Sequence, residues 1–217
     1  MTNPGDAIRR AVDVAAGVGG LVVLSPVLLA AAVATRVGVG RGVIYRQRRL
    51  GLGGHPFELL KFTSMRPPRP GREAPEFDAE RITRVGRWLR ATSLDELPSL
   101  WNLVQGDITL VGPRPLPVHY WPRFRGAEYE RFEVRPGITG LAQVSGRNEL
   151  DWPERLALDV EYVRTRSLAG DARILARTVS VVLARSGVDQ ADGVTMHELP
   201  ADRLHPVSDT RCNMPTD

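Results

Sequence analysis

Between Val14 and Thr35 the chain carries no charge (VAAGVGGLVVLSPVLLAAAVAT). As a helix rising about 1.5 Å per residue, such a run is long enough to cross about 30 Å of hydrocarbon. Proline inside it, at Ser25-Pro26, removes a backbone donor and crowds the preceding turn, so a kink is expected there. Beyond the run, apolar alternation from Gly42 to Met65, interrupted by glycines between Gly51 and Gly54, predicts a hairpin whose second strand passes through Phe57 to Phe62. Arg66 to Ala74 is rich in proline and glycine and reads as a loop. Helical spacing returns over Asp78–Leu89 and Thr92–Gln105, with Gly106 as the stop. An apolar run, Ile108–Val111, ends at Gly112-Pro113-Arg114-Pro115. The stretch Arg135–Asn148 is too rich in turn residues for a helix and suits a loop or short strand. Two helices follow, Pro153–Arg164 and Asp171–Arg185. Ile174, Leu175 and Val179 make the second amphipathic, fit either to lie on acidic lipid or to cover a core. The pattern then dissolves. The expected organisation is an N-terminal membrane segment with its flanks (1–41), a globular core (42–187) and a disordered tail (188–217). The fold class is mixed α/β, helix-rich, with a short sheet or hairpin and amphipathic interfacial helices.

Charge changes the picture of the first segment. Arg9 and Arg10 precede it, and Arg36, Arg41, Arg46, Arg48 and Arg49 follow it. Basic flanks favour the cytoplasmic side, so both ends ask for the same face of a membrane. A helix that dips in, bends at Ser25-Pro26 and returns satisfies both, while a single-pass anchor remains the alternative. A cleaved leader fits poorly, because Asp13 sits at the junction and a basic cluster follows directly. Over the whole chain 29 basic residues face 25 acidic ones, and only one of the 29, Lys61, is a lysine. An arginine-rich chain with a pI near 9.8 calls for an anionic partner, since guanidinium grips phosphate oxygens in pairs. The single cysteine, Cys212, excludes a disulfide framework and a cysteine-rich zinc site.

The acidic pair Asp95-Glu96 opens a predicted helix. Ser93 and Glu96 have capping-box spacing, which accounts for the acids without any chemistry. Pro98 lies one place beyond the turn that tolerates proline freely, so the helix start is expected to be loosened or displaced. Neighbouring carboxylates at such a place can divide labour, one attacking phosphorus and the other holding a hard cation. The residues alone leave the pair balanced between these readings. Arg90, Arg114, Arg135 and Arg147 fall at rigid or turn-rich positions; any one of them is ordinarily an isolated surface arginine, but four together suggest a fixed oxyanion cradle of the kind phosphoryl transfer requires. No G-x-x-x-x-G-K-S/T loop is present, and the histidines show no metal-ligand spacing. A nucleic-acid-binding module is disfavoured by a 6% aromatic share and the lack of a recognisable reading motif. A membrane-anchored basic scaffold without catalysis stays open, and it would tolerate Asp95→Asn and Glu96→Gln.

From Arg9 to about Arg185 the chain resembles the bacterial initiating sugar transferases, the small monotopic polyprenyl-phosphate hexose-1-phosphate transferases. The resemblance is carried by RRAVDVAAGVGGLVVLSPVLLA, YRQRRLG, PFELLKFTSM, RITRVGRWLRATSLDELPSLWNLVQGDITLVGPRPL, RPGITGLAQVSGRN and LDVEYVRTRSLAGD, in that order. It implies the re-entrant topology, at the bacterial inner membrane with the active site on the cytoplasmic face, and the minimal catalytic form. It also implies transfer of sugar 1-phosphate from a nucleotide sugar, a UDP-sugar in the first instance, to polyprenyl phosphate with Mg2+. Such a reaction initiates membrane glycan or exopolysaccharide synthesis. In the family's L-D-E motif the aspartate forms a covalent phospho-sugar and the glutamate helps hold the metal, which assigns those roles to Asp95 and Glu96. Arg90 and Arg114 match positions associated with donor phosphates, Lys61 begins the K-F-x-S/T-M motif, and Arg147 and Asp159 match further substrate positions. Thr63 stands where the family commonly has arginine. The partners implied are nucleotide sugar, polyprenyl phosphate and membrane lipid, without nucleic acid; a homodimer is compatible.

Overall fold

The uncharged N-terminal run folds as two helices. In the computed structural model, which describes residues 4–40, 42–71, 77–146, 150–183, 199–200 and 203, α1 (Pro4–Val23) and α2 (Ser25–Gly38) meet at Leu24 with a bend of 65°. Proline in the first turn of α2 has no backbone donor to lose there, and the Ser25 hydroxyl donates to the Val22 carbonyl. Among the described residues no single helix is long and apolar enough to cross a membrane; the bent pair passes that test jointly. Around the bend apolar side chains face outward, Val23 being 76% exposed and Leu29 67%.

The first half of α1 is tied to the core by polar contacts. Arg10 donates to the carbonyls of Leu103 and Val104. Asp13, buried, accepts from the Leu110 amide and the Thr109 hydroxyl, and Arg9 pairs with Asp171 at 2.7 Å. At Gly17 a Cβ would fall 2.8 Å from a Val104 methyl, so glycine sets how closely α1 lies on α5 (Ser99–Gln105).

The expected hairpin forms. Strands β1 (Ile44–Leu50) and β2 (Pro56–Phe62) pair antiparallel, with Tyr45 opposite Lys61 and Leu50 opposite Pro56. A second two-stranded sheet pairs β3 (Thr109–Val111) in parallel with β4 (Gly137–Thr139), so the short strand anticipated in the glycine-rich stretch is present. The glycines there allow contact between backbones: a Cβ on Gly137 would lie 2.1 Å from the Gly112 nitrogen.

The helices differ from the sequence pattern in three places. The run Asp78–Leu89 is interrupted, giving α3 (Asp78–Arg81) and α4 (Arg84–Ala91), because Ile82 bridges to Met65 and extended Thr83 caps α4 by accepting from the Gly86 amide. Thr92–Gln105 is likewise divided into a tight 3-10 turn, Leu94–Glu96, and α5. The stretch expected to be loop or strand also contains a short helix, α6 (Leu141–Ser145), framed by Gly140 and Gly146 and burying Ala142 and Val144. Next comes α7 (Trp152–Thr165), whose start is fixed by reciprocal bonds between Asp151 and Glu154, followed by α8 (Leu168–Leu183). Ile174 of α8 is buried with Val111, Val134, Val144 and Tyr162, so this amphipathic helix covers core.

The largest core cluster joins Leu50, Leu116, Tyr120, Trp121, Phe124, Phe132 and Leu156. Leu199 is fully buried in the same cluster, its carbonyl accepts from Arg123, and Arg203 pairs with Glu128. The expected disordered tail otherwise lies outside the described residues.

Candidate active site

The acidic pair sits on a strained connection. Ser93, which leads it, has φ +57° in the left-handed region, where a non-glycine residue is uncommon and such strain costs about 1–3 kcal/mol. Its side chain caps nothing, contrary to the capping-box reading. The 3-10 turn then carries Asp95 and Glu96, and Pro98 occupies the capping position of α5, so the helix start is displaced as proline demands.

Glu96 is gripped from two sides. Its Oε1 accepts from Lys61 Nζ at 2.7 Å and from Arg114 Nη2 at 2.8 Å. Arg114 foremost, with Lys61 beside it, holds this carboxyl far below the usual carboxylate range against the opposing effect of burial. Glu96 is therefore ionised at any ordinary pH. Asp95 behaves differently. Burial pushes its carboxyl above the usual value, with Glu96 adding to the effect, while Lys61, Arg90 and Arg114 pull it back. Two adjacent carboxylates thus differ in character because one has been given the cations.

Each cation is placed by the local fold. Lys61 is the penultimate residue of β2, and burial lowers its ammonium while Glu96 supports the charged form. Arg114 follows β3 between two prolines, which leaves its backbone little freedom. Arg90, near the end of α4, donates through Nε to the Ser64 hydroxyl at 2.9 Å. Arg49, at the end of β1, lines a cleft together with Lys61, Glu96, Ser99 and Arg114. In the sequence Arg49 is a flanking charge and a member of the YRQRRLG stretch, with no site role attached. The hairpin register held the signal: with Tyr45 opposite Lys61, period-two alternation puts residues 45, 47 and 49 on the same face as Lys61.

The remaining expected site residues are placed as follows. Asp159 is buried on α7 and paired with buried Arg131, which donates to it from Nε at 3.1 Å and from Nη2 at 2.8 Å. The same Nη2 donates to the Arg114 carbonyl at 2.8 Å, so Asp159 reaches the cleft through Arg131. Arg135 turns away and donates to the Gly106 carbonyl. Thr63 donates to the Gly42 carbonyl at the open end of the hairpin. Arg147 lies outside the described residues. Among the described residues, no group of three acidic, histidine or cysteine side chains is gathered in the way an all-protein metal cage needs.

An ionised glutamate, a buried aspartate and a surplus of cations form a site for an anionic phosphoryl group rather than for a neutral ligand. The family model of bacterial sugar transferases matches residues 5–185; the chain belongs to that family and is a sugar-phosphate transferase. It is 40% identical to the uncharacterized sugar transferase EpsL of Bacillus subtilis, over 87% of this chain and 93% of that protein. It is 41% identical to the UDP-glucose:undecaprenyl-phosphate glucose-1-phosphate transferase of Caulobacter vibrioides, over 82% of this chain and 70% of the relative. To the exopolysaccharide production protein ExoY of Sinorhizobium fredii it is 34% identical, over 84% and 88% of the two chains.

Proposed function

We propose that the protein transfers sugar 1-phosphate from a UDP-sugar to polyprenyl phosphate in two displacements at Asp95. The observation that carries this reading is the division between the two neighbouring carboxylates, one paired with Lys61 and Arg114 and the other buried beside them. In the first displacement an Asp95 carboxylate oxygen attacks the sugar-bearing phosphorus. The anhydride bond breaks, its electron pair leaves with nucleoside monophosphate, and the phospho-sugar stays on Asp95. In the second, an oxygen of the lipid phosphate attacks the same phosphorus and Asp95 is released as carboxylate. Arg90 and Arg114 bind and orient phosphoryl oxygens, and Lys61 keeps Glu96 fixed.

Glu96, ionised and presenting hard oxygen donors, fits Mg2+ shared with donor phosphates, as this cation is commonly held by one or two carboxylates plus substrate. When bound, the ion would neutralise charge on the phosphoanhydride. The acceptor is membrane-borne, and the bent α1–α2 pair with its outward apolar residues fits shallow insertion at the cytoplasmic face of the bacterial inner membrane. The reaction would open an exopolysaccharide or related glycan pathway.

The test uses donor labelled in the sugar phosphate. Enzyme incubated with that donor alone, quenched in acid and digested, should carry label on the peptide containing Asp95. Label on a peptide lacking Asp95 refutes the nucleophile. Absence of an adduct together with turnover by Asp95→Asn means direct transfer to the lipid.

A further inference from the structure

We propose that Arg49 is a phosphoryl-oxygen ligand of the cleft, a third phosphate-binding cation beside Arg90 and Arg114. The proposal deepens the transferase reading and rests on it for the identity of the phosphate, though not for the existence of the anion site.

Arg49 differs from two neighbouring guanidinium groups that are paired with a carboxylate, and from Arg90, which bonds a hydroxyl. Arg131 has Asp159, Arg114 has Glu96, and Arg90 has Ser64. Arg49 donates to the Pro115 carbonyl at 3.0 Å and to Gln47 Oε1 at 2.6 Å, both neutral acceptors. Among the described residues it makes no ion pair, and its Nε is enclosed without a partner. A charge taken out of water without a counterion is costly. Burial and the neighbouring Arg114 lower its pKa to about 10, against the opposing pull of Glu96. Arg49, Lys61 and Arg114 line the cleft together with one carboxylate, Glu96, leaving two positive charges in excess. A phosphoryl group brings roughly that charge of opposite sign near neutral pH. Its oxygens also suit the planar guanidinium fork.

The position is also suitable for building such a ligand. Leu50, the next residue, is 1% exposed and its amide donates to the Leu116 carbonyl, while Arg49 bridges to Pro117. The hairpin and the Arg114–Pro117 segment are thereby joined, so the guanidinium groups of Arg49 and Arg114 are carried on one rigid support. The phosphoryl group could come from the nucleotide sugar or from the lipid, and the experiment separates them.

The first measurement is thermal stability of the full chain in detergent with and without millimolar inorganic pyrophosphate. Wild type should be stabilised, as should Arg46→Gln, a control at the exposed ion pair with Glu58 on the same strand. Arg49→Gln should lose most of the shift. Equal shifts in wild type and Arg49→Gln overturn the proposal, and so does a wild type that pyrophosphate leaves unshifted. Arg49→Lys, which keeps a charge but not the fork, serves if the glutamine variant does not fold, and should retain about half the shift or less. The second measurement is kinetic. A KM for nucleotide sugar raised roughly tenfold or more in the donor-only labelling step places Arg49 on the donor, because a charge-assisted bond is worth about that factor. The same rise confined to polyprenyl phosphate places it on the acceptor, and no change in either overturns the assignment. If wild type neither labels nor turns over, the transferase reading fails, and the pyrophosphate experiment still decides whether Arg49 holds an anion.

Discussion

At the scale of single residues, Asp95 and Glu96 show how neighbours of the same chemical type acquire separate duties. Asp95→Asn removes the nucleophile while keeping its shape, so adduct and turnover should both disappear, a loss of at least about 10³-fold measured against saturating donor. Protonated Asp95 cannot attack. Because its folded-state pKa is raised, first by burial, activity should fall on the acid side at a pH above that of an ordinary aspartate. The acid limb of the donor-labelling rate against pH checks this, and a limb at or below the ordinary aspartate value contradicts it. Glu96→Gln leaves Lys61 and Arg114 facing a neutral amide; the expected outcome is a weaker Mg2+ dependence and slowing of both displacements, read from magnesium titrations of each half-reaction. The residues that meet here were legible in part: Arg114 and Pro98 by their proline punctuation, Lys61 as the chain's one lysine, and the Asp95-Glu96 pair as a candidate that only the family resemblance gave a role. Arg49 was not, since it stands in a run of arginines where only strand pairing singles one out.

At the scale of elements, the buried Asp159–Arg131 pair stands behind the Pro113-Arg114-Pro115 segment, with a side-chain exposure of 4% and 2%. Asp159→Ala would leave Arg131 buried and unpaired. The expected loss of stability is about 3–5 kcal/mol, measured by chemical denaturation, while the double change Asp159→Leu with Arg131→Met should recover much of it. The Arg114 carbonyl keeps its donor, Arg131, in Asp159→Ala and loses it only in the double variant, so restored stability without restored turnover in the double variant would identify Arg131 as a positioning residue for Arg114. Helix boundaries were the least legible feature of this class. The break at Thr83 depends on a bridge between Met65 and Ile82, a pairing across a loop that no local period announces. The bend at Ser25-Pro26, by contrast, could be read directly, because proline acts through its own covalent structure.

For the whole molecule the question is how the two helices meet lipid. If α1 and α2 form a re-entrant pair, both basic flanks lie on the cytoplasmic side. In a Cys212→Ser background, a cysteine at Gly5 and one at Arg46 should both resist an impermeant thiol reagent in intact cells. Labelling of the first alone establishes a spanning topology instead. Pro26→Leu should allow α1 and α2 to straighten into one helix, and the cysteine at Gly5 should then become accessible from outside. The same labelling comparison reports that change. The bent helix pair was visible in the chain because the length of the uncharged run and its internal proline act through the local backbone. The way α1 is fastened to β3 and α5 was not visible, since Asp13 and Arg10 find partners about a hundred residues away.

Lys61 is the chain's one lysine and its amine touches Glu96. The protein consequently carries its own spectroscopic reporter. Reductive methylation with isotope-enriched formaldehyde would introduce one ε-dimethylamine in a molecule of 217 residues, the α-amine resonating elsewhere. That single resonance should titrate abnormally and move when nucleotide, pyrophosphate or magnesium enters the cleft. Occupancy, and the order in which donor and acceptor arrive, could then be followed without a single engineered label.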